Sequence, residues 1–222
     1  TYNGKSLGID LGLNNLVTCL SSDGLSFIVS GGPIKSINQF YNKRRSNLQS
    51  KLDGGKFNSR RIDRLTLSRN NKIKNYIHHV SRLIVNKSIE SDITKIVVGN
   101  NVGWKQKINI GRKSNQNFVS IPHSNLIELI EYKAKMVGIE VIRIEESYTS
   151  KCSALDLEPI CKNDNYVGKR IKRGLFKTKC GFNINADSNG AANILRKVIG
   201  DGFISDSIVS AVIAPVKMLV FK

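Results

Sequence analysis

Three acidic positions carry the most chemical interest in this chain: Asp10, the adjacent pair Glu145 and Glu146, and Asp187. Each is expected where a strand or loop ends near one edge of a sheet. Hard cations such as magnesium prefer carboxylate oxygens, keep several waters, and are held by a few acids together with substrate phosphates. Two such ions, about 3.5 to 4 Å apart, activate an attacking water and stabilise the leaving oxygen of a phosphodiester. Three acids drawn from distant parts of a basic chain fit that requirement. For any one of them alone a plainer role is the better reading, as Asp187 could simply cap the helix that follows it.

The elements that must position these acids are readable from periodicity. Residues 6–10 (SLGID), 16–21 (LVTCLS) and 25–29 form short apolar runs separated by Gly/Asn and Asp-Gly turns, which predicts an antiparallel meander with Asp10 ending its first strand. From 34 to about 87 the pattern becomes helical, with Ile62, Leu65, Ile73, Tyr76, Ile77, Val80, Leu83 and Ile84 on one stripe. Residues 93–98 (ITKIVV) predict a buried strand, 125–137 an amphipathic helix, and 139–144 a further strand leading to Glu145 and Glu146. Residues 147–185 show no clear period, and Asp187 precedes a last helix over about 188–198. Meander, helical insertion, strand, helix, strand and helix suit a mixed α/β sheet with helices on both faces.

Charge narrows the partners. The 222 residues hold 35 Lys+Arg against 17 Asp+Glu, a formal net charge of +18. Fourteen of the basic residues fall between Lys35 and Lys87, opposed there only by Asp53 and Asp63, and a second group spans 169–179. A polyanion is the partner such a surface fits, with Lys43, Arg44, Arg45, Arg60, Arg61, Arg64, Lys105, Lys169, Arg170, Lys172 and Arg173 as candidate phosphate contacts. Trp104, Phe118 and Tyr148 could stack on bases, although aromatics beside strands more often fill cores. His78, His79 and His123 have no metal or nucleophile spacing and receive no role. Four cysteines without a close pair argue against a disulfide framework. The apolar tract 204–221 carries Asp206, Pro215 and Lys217, which a membrane helix rarely tolerates, so an intracellular protein without a leader is expected.

The segment GIDLGLNNLVT (8–18) resembles the first motif of RuvC-type nucleases, and NADSNGAANILRK (185–197) resembles the last RuvC motif of TnpB proteins, the RNA-guided nucleases of insertion sequences. IEESYTSKCS (144–153) and GKRIKRGLF (168–176) make the match specific. IVVGNNVGWKQ, NQNFVSIPH and YKAKMVGIEV look like the same family. The resemblance runs from about residue 6 to 197. It implies a single ribonuclease H-like (RuvC) nuclease domain over 1–222, with a basic helical insertion at about 34–90 and a basic loop region at about 147–185. The family's N-terminal recognition and wedge domains are absent from the chain.

Two departures qualify the resemblance. Most TnpB proteins place the second catalytic acid at the end of the strand that here reads IVVGN, in a motif of the form VVEDL, and this chain has Gly99 there. In the branch resembling the eukaryotic Fanzor proteins the glutamate is relocated to just before a YTS or RTS triplet, which maps onto Glu146, with Glu145 as the alternative. Most TnpB proteins also carry a four-cysteine zinc ribbon between the second and third acids. Only Cys152, Cys161 and Cys180 remain here, so no zinc is expected.

The implied function is an RNA-guided endodeoxyribonuclease using two Mg2+ or Mn2+ ions held by Asp10, Glu146 and Asp187. Its partners are guide RNA, target DNA and the remaining domains. It would act in the prokaryotic cytoplasm, or in the nucleus of a eukaryotic host. The alternative is a nuclease-inactive, RNA-guided DNA-binding repressor of the same family. An actin-like sugar kinase or ATPase also begins with Asp-x-Gly, but it should carry a second such segment and glycine-rich adenosine-binding turns, neither of which is found in this sequence. The basic charge argues against it too.

Overall fold

The computed structural model describes residues 4–52, 54, 56–100 and 121–220. Lys105, Trp104 and Phe118 lie outside them. Its first three strands, β1 (Ser6–Leu11), β2 (Asn15–Ser21) and β3 (Ser26–Ser30), pair as the antiparallel meander that their apolar runs and tight turns predict. Next come α1 (Gly32–Gln49), opened by Pro33 in its first turn, and α2 (Arg60–Glu90), whose N-cap Ser59 accepts the Ile62 amide. Strand β4 (Lys95–Gly99), helix α3 (His123–Lys135) and strand β5 (Glu140–Ile144) follow, with β4 parallel to both β1 and β5. The ends of β1, β4 and β5 therefore lie side by side: Ile9 pairs with Val98, and Gly99 with Ile144. In sheets of this kind the carboxyl ends of parallel strands are where ligands bind.

Alternation along β1 divides the layers. Leu7, Ile9 and Leu11 enter a core with Ile73, Ile77, Val80 and Ile84 of α2 and Ile127 and Ile130 of α3. Lys133 fastens those two helices from within, donating to the His78 carbonyl at 2.6 Å and to Ser81 Oγ at 2.7 Å. The opposite face of the sheet is covered by a later helix, α4 (Ala186–Ile199), through Ala191, Ala192, Ile194 and Leu195.

Two regions differ from the sequence reading. Residues 147–185 contain a second, three-stranded antiparallel sheet, β6 (Lys169–Lys172), β7 (Leu175–Lys177) and β8 (Asn183–Asn185). Its strands have three or four residues, and β6 is exposed along its whole length, so no alternating pattern marks it. Beyond α4, the apolar tract divides into helix α5 (Asp206–Ile213) and strand β9 (Val216–Met218). β9 extends the main sheet by pairing parallel to β3, giving the order β5-β4-β1-β2-β3-β9. No helix among the described residues is long and apolar enough to cross a membrane.

Candidate active site

Asp10, Glu146 and Asp187 line one cleft of about 990 Å³ at the carboxyl ends of β1 and β5, together with Asn15, Tyr148, Arg170 and Arg173. Burial, reinforced by the charges of Glu146 and then Asp187, holds the Asp10 carboxyl well above its usual range, while Arg170 pulls it back. Burial likewise pushes Glu146 up to about 7, against the attraction of Lys197. Carboxyl groups raised by burial and by one another in a cleft mark it as a candidate functional site.

Each acid has its own support. Asp10 projects from β1 toward α4, so close that a methyl group on Gly190 would fall 2.7 Å from its Oδ2. Asp187 is not a helix cap: Asn185 takes that role, its side chain accepting the amides of Asp187 and Ser188 at 3.0 Å. The Asp187 carboxylate is thereby left to Asn15 Nδ2, 2.7 Å from Oδ2, and to Arg170 Nη2, 3.1 Å from Oδ1. Glu146 occupies space that Gly99 leaves open, since a methyl group on Gly99 would lie 2.5 Å from its Cγ and 2.7 Å from its Cδ. Lys197 Nζ donates to the carbonyls on either side of Glu146, those of Glu145 at 2.8 Å and Ser147 at 2.9 Å. Glu145 is exposed, and its carboxylate accepts from Ser147 Oγ.

Helix α4 gathers these parts. Asn189 donates to the Cys152 carbonyl at 2.9 Å and accepts the Ala154 amide, and Asn193 donates to the carbonyls of Thr149 at 2.8 Å and Cys152 at 2.7 Å. Arg196 reaches the Glu158 carbonyl at 3.0 Å. Their spacing of four and three puts these buried polar groups on one face, against the loop that follows Glu146.

The cysteines are bonded separately. Cys152 is buried and donates to the carbonyls of Pro159 and Cys161, and exposed Cys161 donates to Asn163. Carboxylates tie this region together instead. Glu158 accepts the amides of Ser153 at 2.7 Å and Val167 at 3.0 Å, and Asp156 accepts Ser153 Oγ at 2.6 Å and the Lys179 amide at 2.7 Å. Burial works against the charge on Asp156, but those bonds outweigh it and keep its carboxyl below the usual range.

Of the candidate phosphate contacts, Arg170 and Arg173 line the acid cleft, and Lys169 and Lys172 are exposed on β6 beside it. Lys43, Arg44, Arg45, Arg60, Arg61 and Arg64 are exposed on the α1–α2 hairpin, outside the cleft. Sequence reasoning passed over Asn15, Lys197 and His123. The buried ring of His123 lies with Nε2 3.0 Å from the Gly12 carbonyl, supporting the turn after Asp10. The signals were present, an Asn in that turn and a Lys at the far end of the helix bearing Asp187, but only the tertiary fold gives them meaning. Among the described residues no three His, Cys, Asp or Glu side chains form a ready-made metal cage. Asp187 is turned toward Asn15 and Arg170, and the donor chemistry of the three acids is that of a hard divalent cation.

A family described as probable transposase matches residues 1–105, and a Cas12f1-like TNB domain matches residues 123–194. TnpB-like protein ORF457 of Acidianus two-tailed virus is 28% identical over 207 residues, covering 88% of this chain and 42% of that protein. The chain belongs to the TnpB family. This TnpB-family chain is also 32% identical over 217 residues to the CRISPR-associated endodeoxyribonuclease Cas12f1 of Sulfoacidibacillus thermotolerans, covering 92% of the chain and 48% of the relative. It thus spans less than half the length of both relatives. Its fold matches that in a Cas12f1–sgRNA–target DNA complex with a TM-score of 0.64 at 25% identity, over 85% of the chain and 48% of the other. A Cas12f ternary complex matches with a TM-score of 0.65 at 23% identity, over 85% and 38%.

Proposed function

We propose that this chain is the ribonuclease H-like (RuvC) nuclease domain of an RNA-guided, metal-dependent DNA endonuclease, with Asp10, Glu146 and Asp187 as its acids. The observation that carries the reading is the meeting of these acids, from β1, the end of β5 and α4, in one cleft edged by Arg170 and Arg173. The branch with a relocated glutamate is supported by the room that Gly99 leaves for Glu146. Asp10, Glu146 and Asp187 would hold magnesium or manganese, in a two-ion arrangement that is part of this proposal, and the metal would supply water activation and charge neutralisation at the leaving oxygen.

The chain's own groups do the rest. Asn15 and Arg170 orient Asp187, Lys197 fixes the backbone on both sides of Glu146, and Arg170 and Arg173 offer charge to the phosphates of the strand being cut. Guide RNA and target DNA are the proposed partners, and the α1–α2 hairpin offers its exposed basic surface to them. Asp156 and Glu158 bridge the loop segments around the small sheet, through Ser153, Val167 and Lys179, so the fold is proposed to need no zinc. An intracellular site of action, with access to DNA, follows from the same reading.

The test is cleavage of single-stranded DNA by the purified chain with manganese. Asp10→Ala, Glu146→Ala and Asp187→Ala are each expected to lose about 100-fold or more, and Glu145→Ala to retain activity. Equal cleavage by the wild type and the Asp10 and Asp187 variants would overturn the assignment. One feature favours the nuclease-inactive alternative, the ion pair that engages Asp187 with Arg170. Absence of acid-dependent cleavage alongside intact DNA binding would select it.

A further inference from the structure

Among the described residues three that are not glycine have left-handed backbones, Asp92, Tyr148 and Leu157, and of these only Tyr148 lines the acid cleft. Its φ of 65° is strained for a bulky side chain and free for glycine. The surrounding turn enforces it. The Thr149 amide donates to the Glu146 carbonyl at 3.1 Å, the Lys151 and Cys152 amides donate to the Tyr148 carbonyl at 3.0 and 3.1 Å, and Asn193 holds Thr149 from below. Strain kept in place by so many bonds belongs to functional sites when the side chain has work that glycine cannot do. An aromatic half-buried beside Glu146, sharing a cleft with Arg170 and Arg173, has the composition of a single-strand binding site, in which cations meet the backbone and a ring meets the bases.

We propose that Tyr148 is a nucleobase-stacking residue, which seats the base next to the scissile phosphate of single-stranded DNA in the cleft. This rests on the nuclease reading for its substrate, but its test reads binding alone. Stacking tolerates any base, so Tyr148 sets the position of the strand along the cleft without choosing its sequence. It places a recognition element two residues from an acid on the same rigid turn, which fixes the distance between base and reacting phosphate.

The experiment is fluorescence anisotropy of the whole chain with labelled oligothymidylate and with an abasic oligonucleotide of equal length, under chelation so that nothing is cut. Wild type is expected to bind the abasic strand about tenfold more weakly, and Tyr148→Leu to bind both strands at that weaker level, while Tyr148→Phe retains the preference. Arg173→Ala should weaken both strands alike. Tyr148→Gly, freed of strain, should melt no lower than wild type and share the binding loss. The proposal is overturned if Tyr148→Leu binds oligothymidylate as wild type does, if wild type does not distinguish the two strands, or if Tyr148→Gly melts several degrees lower with binding unchanged. Should the three acids prove inert in cleavage, this comparison still stands or falls by itself.

Discussion

At the scale of single residues, the site depends on one missing side chain. Gly99→Ala brings a methyl group against Cγ and Cδ of Glu146, at the flexible end of a side chain that can swing aside. The fold should therefore survive with less than about 1 kcal/mol lost, while the carboxylate moves by about an ångström and cleavage falls about 100-fold. Melting curves beside cleavage rates check this split. Glu146 also makes a prediction about pH. Its carboxyl is raised from 4.5 to about 7, so the metal-free fold favours its protonated form. That contribution to stability is present in full below about 4.5 and is lost as pH rises through 7. Glu146→Gln, neutral throughout, should raise the melting temperature of the chelated protein at pH 8 by a few degrees and leave it unchanged near pH 4, while removing activity. Scanning calorimetry at the two pH values checks it.

At the scale of elements, α4 is the organiser. It carries Asp187, presses Gly190 against Asp10, and through Asn189, Asn193 and Arg196 clasps the loop that begins at Glu146. Asn193→Ala leaves the buried Thr149 carbonyl without that donor and should cost about 2 kcal/mol, or about 4 to 8 °C in melting temperature, with a larger fractional loss in cleavage as the loop loosens. Thermal melts and rates on the same sample check it. These elements were unequally legible in the sequence. β1 to β5 announce themselves as short apolar runs bounded by turns, since β1 to β4 are buried along nearly their whole length, and the candidate acids follow from where those strands stop and where α4 begins. The small sheet did not, because β6 buries nothing and only Phe176 and Ile184 of its partners reach a core. β9 was hidden for a different reason, being three residues whose identity as a strand comes from the edge of β3. Asn15 and Lys197 mark a limit of another kind, since their partners are distant in sequence and no local pattern points to them.

At the scale of the whole molecule, the basic cluster of the α1–α2 hairpin and the candidate acids are held in different places. The acids sit in a cleft at the strand ends, whereas Lys43, Arg44, Arg45, Arg60, Arg61 and Arg64 are exposed on the α1–α2 hairpin. Replacing Lys43, Arg44 and Arg45 together by alanine should weaken nucleic-acid binding at low salt and reduce the slope of log K against log salt by about 0.7 to 0.9 for each phosphate no longer neutralised. The melting temperature should stay unchanged, and a salt titration of affinity beside a melting curve checks both halves. The same separation bears on how the protein is made. Asn15 waits for Asp187, 172 positions further along the chain, which at ribosomal speed is on the order of ten seconds or more. Once residue 90 has been made, the nascent chain displays the basic hairpin while the acid cluster is still incomplete. Any product released before Asp187 would carry the basic hairpin without the third acid of the proposed site, so synthesis itself holds back the proposed chemistry until the last of the three acids has been made.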